Sequence, residues 1–165
     1  GYTAWKQSQA ETAANIYSNA LAADDALAAL EADLGQLTDG YALLGRFQLA
    51  AGRADAGDAT GAERVYLEIA SDTSVDPLYR DAATLLSVMN APDSSDAAAL
   101  QGRLAPLADG AGPWKPLALE LSAALDLKAG DRAAAAAKLQ EVIELDGTPP
   151  ELRQRAAQLA EVLKS

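Results

Sequence analysis

Small and apolar residues recur along this chain at the spacing i, i+4, i+7, which is one face of an α-helix. The triplet appears as Ala62, Tyr66 and Ile69, returns 38 residues later as Leu100, Leu104 and Leu107, and returns after 35 more as Ala135, Leu139 and Val142. A helical face that recurs at a near-constant interval marks a repeated supersecondary unit, because a lone hairpin has nothing to bury its apolar side against. The pattern predicts an all-α fold, a right-handed stack of antiparallel helical hairpins with about nine helices. Alternating β-branched runs are absent, so no strands are expected.

Punctuation between the apolar faces sets the boundaries. A first helix is expected over residues 3–23, with Ala13, Ile16, Tyr17, Ala20 and Leu21 on one face. Asp24 and Asp25 offer an N-cap to a second that ends near Gly35. Thr38 and Asp39 open a third, which runs through Leu43, Leu44, Phe47 and Leu49 and ends near Gly52. Residues 52–61, rich in Gly, Ala and Asp, read as a loop closed by the capping box Thr60-Gly61-Ala62-Glu63, where hydroxyl and carboxylate accept from each other's backbone N–H groups. Asp76-Pro77 opens a fifth helix, since proline at the first helical position forfeits no hydrogen bond. A loop at 91–95 precedes a sixth, and a break at 110–113 precedes a seventh over about residues 114–129. Gly130-Asp131 combines a helix stop with the N-cap of an eighth, and Thr148-Pro149-Pro150-Glu151 repeats the capping-box logic for a ninth that reaches Leu163. The expected organisation is one domain: a helix pair over 1–35, three repeat hairpins within 38–146 (residues 38–70, 76–108 and 114–145), and a capping helix over 149–165.

A chain of 165 residues buries a sizeable core without staples. Its 40 alanines let helix axes approach closely, with leucines such as Leu43, Leu86, Leu117 and Leu139 filling the gaps, so with 5% aromatic residues the core is expected to be largely Ala and Leu. The absence of cysteine excludes a disulfide framework. The absence of histidine removes the commonest general base and metal ligand.

The net charge of −11 is uneven: residues 1–113 carry 6 basic and 16 acidic side chains, and residues 114–165 carry 7 and 8. Nucleic-acid binding and attraction to an anionic membrane surface both require basic groups, and both are therefore disfavoured. No apolar run approaches the about 20 residues that span a bilayer. Asp55, Asp58 and Glu63 lack the alternating ligands and distant glutamate of a calcium loop. The pairs Glu141 with Glu144 and Asp93 with Asp96 read as solvated helix faces rather than acid/base couples. Gly110-Ala111-Gly112 lacks the lysine and hydroxyl of a phosphate loop. No catalytic residue, cofactor or metal is expected.

Leu44-Gly45 on one helix, a Gly-Asp turn, and Ala62, Tyr66 and Ile69 on the next resemble the tetratricopeptide repeat, and Gly130-Asp131 with Ala135, Leu139 and Val142 resembles it again. Between Leu44-Gly45 and Ala62 stand about five more residues than the repeat uses, with Gly52-Arg53 and Gly57-Asp58 both offering the turn. A narrower resemblance covers nearly the whole chain. Gly1-Tyr2-Thr3-Ala4-Trp5, Gly40-Tyr41-Ala42-Leu43-Leu44, Pro77-Leu78-Tyr79-Arg80-Asp81 and Pro113-Trp114-Lys115-Pro116-Leu117-Ala118 are similar to the tetratricopeptide-like domain of the YfgM family. That resemblance implies a non-catalytic scaffold on the periplasmic side of the bacterial inner membrane, held by an N-terminal anchor preceding Gly1, with the Sec translocon and periplasmic chaperones as protein partners. The alternative is a soluble helical-repeat adaptor acting as a homo-oligomer, through the first or ninth helix.

Trp5 and Trp114 stand near helix starts, where tryptophan serves either as a packing plug between hairpins or as a ligand platform. In a tetratricopeptide-like hairpin the first helix lines the concave surface, which places Arg46 in the groove and Arg80 near the equivalent point of the fifth helix. There the two arginines either hold a partner's carboxylate or pair with Asp81 or another nearby aspartate. Arg46, Arg80 and Trp114 are the candidate partner-binding residues.

Overall fold

The computed structural model describes residues 23–164, and among them every regular element is an α-helix. There are eight: α1 (Ala23–Gly35), α2 (Tyr41–Asp55), α3 (Ala59–Ser71), α4 (Pro77–Met89), α5 (Ala97–Ala108), α6 (Lys115–Lys128), α7 (Arg132–Glu144) and α8 (Pro150–Leu163). The helix expected over residues 3–23, and Trp5 with it, lies outside the described residues. The chain divides into two compact units, Gly1–Ser95 and Asp96–Ser165. In the first, α1, α2, α3 and α4 each pack on the next; in the second, α5, α6, α7 and α8 do the same, and α6 also touches α8. The expected hairpin of residues 76–108 therefore has its two helices in different units, with α4 packed on α3.

Aspartate starts half of these helices. Asp58 accepts from the Gly61 N–H at 2.9 Å, Asp76 from Leu78 at 2.9 Å, Asp96 from Ala98 at 3.3 Å and Asp131 from Ala134 at 3.0 Å. Each satisfies a backbone donor with no intrahelical acceptor and sets a carboxylate against the positive end of the helix dipole. Part of the acidic surplus is thus capping chemistry. Asp58→Ala is expected to remove about 1 kcal/mol of stability; denaturant titration showing no loss would mean the α3 cap is dispensable.

Four expected starts are corrected. The Thr60 capping box does not form, because Asp58 caps α3 and places Thr60 inside the helix. α2 starts at Tyr41 behind Gly40 rather than at Thr38 or Asp39. A Cβ at Gly40 would stand 2.0 Å from the Leu34 carbonyl oxygen, so only glycine lets the chain turn so close to the end of α1. At α8 Thr148 is no cap; its buried hydroxyl donates instead to the Val142 carbonyl at 2.9 Å, tying the turn to the end of α7. Asp24 and Asp25 fall within α1.

The surplus residues after Leu44-Gly45 also find their place. α2 runs through Gly52 and stops at Asp55, and the turn is Ala56-Gly57-Asp58. Gly57 has φ +84°, its N–H donates to Ala54 O at 3.0 Å, and the Asp58 N–H donates to Arg53 O at 2.8 Å. Ala129-Gly130-Asp131 is its copy: φ +84°, Gly130 N–H to Leu127 O at 3.0 Å, Asp131 N–H to Asp126 O at 2.8 Å. Both are Schellman stops, in which a left-handed residue lets two backbone donors fold back on the last carbonyls. Gly52 lacks that conformation, so it terminates nothing.

The apolar faces follow from these turns. Ala62, Tyr66 and Ile69 are buried in the first unit, beside Leu30, Leu34, Phe47, Ala50 and Leu86. Ala135, Leu139 and Val142 are buried in the second, with Leu100, Leu104, Leu117, Ala118 and Leu152. Leu107 departs from the expected triplet: it is half-buried, and Ala108 takes the inward place at the end of α5. Leu43 is likewise half-buried. Leucine and alanine supply most of the buried apolar side chains, as the composition led one to expect.

Candidate functional site

Arg46 lies on α2, and its guanidinium donates to Asp72 at 2.7 Å, just past the end of α3. The same carboxylate accepts from the Ser74 N–H at 3.0 Å and its hydroxyl at 2.6 Å. These contacts, the Ser74 hydroxyl first and Arg46 next, hold Asp72 at about 2, below its ordinary 3.8. Arg46 is therefore committed to a staple between α2 and the α3–α4 turn. A carboxylate whose folded pKa is depressed contributes stability that is present above its ordinary value and lost as pH falls from about 4 towards 2. Asp72→Asn is expected to flatten the acid limb of the stability profile in that window, measured by urea titration at several pH values. An unchanged limb would remove the staple.

Arg80, in the first turn of α4, is half-buried, and its Nε is fully buried with no hydrogen-bond acceptor among the described residues. Asp81, the next residue, feels its charge. Burial pushes the Asp81 carboxyl up, Arg80 opposes that rise, and the Asp76 charge adds to it. Burial also raises Asp33, and it raises Tyr79 with help from Asp33 and Asp76. The Arg80 charge thus acts on Asp81, while its Nε stays without an acceptor among the described residues.

Trp114 precedes α6 as its N-cap residue and is only 2% exposed. Its ring belongs to the interior of the second unit, which is the packing role. Arg46 and Arg80 share the first unit; Trp114 belongs to the second. Arg64 is exposed on α3, where with Thr60, Glu63, Leu67, Glu68 and Ser71 it lines an open depression of about 350 Å³.

A polar network in the second unit has no counterpart among the sequence motifs. Gln101 of α5 donates to Ser122 O at 3.0 Å and to the Asp126 carboxylate at 2.9 Å, while the Ser122 hydroxyl donates to the Gln101 side-chain oxygen. Lys138 of α7 reaches the other Asp126 oxygen at 2.6 Å. The network joins α5, α6 and α7 through Asp126 and Ser122. Its members stand far apart in sequence, and no local spacing announces them. Elsewhere Arg155 of α8 pairs with Glu120 of α6 at 2.8 Å.

The acidic pairs weighed from sequence are engaged separately. Glu141 pairs with Lys115 at 3.3 Å, Glu144 accepts from Gln140 at 2.9 Å, and Asp96 caps α5. Among the described residues no group of three or more acidic side chains is placed to hold a metal ion, and no helix is long and apolar enough to cross a membrane. No protein-family model, curated protein or solved structure matches the chain.

Proposed function

We propose that this chain is a non-catalytic, tetratricopeptide-like helical-repeat module that binds other proteins. One observation carries the reading: the Ala-Gly-Asp turn and the helix after it occur twice, once in each unit, with the same left-handed glycine, the same aspartate cap, and buried residues 4, 8 and 11 positions beyond it. Repeated helical hairpins that stack on their neighbours present extended surfaces that receive a partner. Arg80 is the proposed contact, since its half-buried guanidinium has a buried Nε with no acceptor among the described residues, whereas Arg46 would have to exchange Asp72. On the resemblance to the YfgM family, the partners are the Sec translocon and periplasmic chaperones, and the module acts on the periplasmic side of the inner membrane.

The test is capture from membranes by the full-length protein, with Arg80→Glu, Arg46→Gln and, as control on the exposed side of α3, Arg64→Glu. Arg80→Glu is expected to reduce capture about tenfold, which is about 1.4 kcal/mol. Arg64→Glu should leave it unchanged, and the helical signal of all three should match the parent. Equal capture by the Arg80 and Arg64 variants removes Arg80 from the interface. Recovery of the chain alone, as a homo-oligomer in light scattering, replaces the scaffold reading with self-association.

A further inference from the structure

We draw no further inference here: the strongest candidate, the outer face of α2 where Tyr41, Gly45, Leu49 and Gly52 stand exposed without a charged side chain, is an unpartnered helix face, and nothing in the structure shows what covers it.

Discussion

Leu139→Ala is expected to destabilise the protein by about 2–5 kcal/mol, read as a lower denaturation midpoint with little change in slope. Leu139 is fully buried on α7, between Ala135 and Val142 on the same inward face. Truncation there loses the transfer free energy of the removed carbons and leaves a void that close-packed neighbours fill only in part. The alanines that allow helices to approach closely make the loss larger, because small side chains have no reach with which to close a gap. Lys164→Ala is the matched control: its side chain is 74% exposed, and its ion pair with Glu161 spans 3.7 Å at the end of the chain. Such a pair contributes about 0–1 kcal/mol. Equal losses from the two substitutions would mean that the inward face of α7 is wrongly placed.

The register of that face was readable without coordinates, and the caps explain why. Asp58, Asp96 and Asp131 each stand four residues before the first member of a triplet, so an aspartate that fixes where a helix begins also fixes which side turns inward. Asp76-Pro77 and Gly130-Asp131 were legible for the same reason: proline and a left-handed glycine are tied to local backbone geometry. The failures have a common physics. Gly52 looks like a stop because glycine weakens a helix, yet ending one requires the left-handed conformation that Gly57 adopts five residues on. Thr60 and Thr148 fit a capping pattern, but Asp58 takes the first role, and a nearby carbonyl takes the Thr148 hydroxyl.

The candidate site was less legible than the helices. The alternatives for Arg46 were a groove or an aspartate, and the choice depended on Asp72, which lies 26 positions away and meets it only once α2 and α3 pack. Trp114 posed the same difficulty, since burial decides between plug and platform and burial is a tertiary quantity. Lys138 and Gln101 carry no motif, although between them they hold Asp126 from two helices.

Phe47→Ala should remove about 3–5 kcal/mol, the range for emptying an aromatic side chain from a packed interior. Phe47 on α2 is fully buried, and its ring centroid lies 6.2 Å from that of Tyr66 on α3, tilted by 51°. Tilted aromatic pairs add about 0.5–1.5 kcal/mol beyond the area they bury. Phe47→Leu restores most of the volume without the ring and is expected to cost roughly 1–2 kcal/mol. Leu49 gives the contrast on the same helix: two positions on, about 200° around the axis, it is 51% exposed, and Leu49→Ala should change stability by less than about 0.5 kcal/mol. Both residues belong to the run of large apolar positions that the sequence assigns to one helix, and hydropathy alone does not rank them. The axis of α2 does, because it turns Phe47 onto Tyr66 and Leu49 to solvent. A Leu49→Ala loss equal to that of Phe47→Ala would mean that α2 is rotated, and the staple from Arg46 to Asp72 would then fall with it.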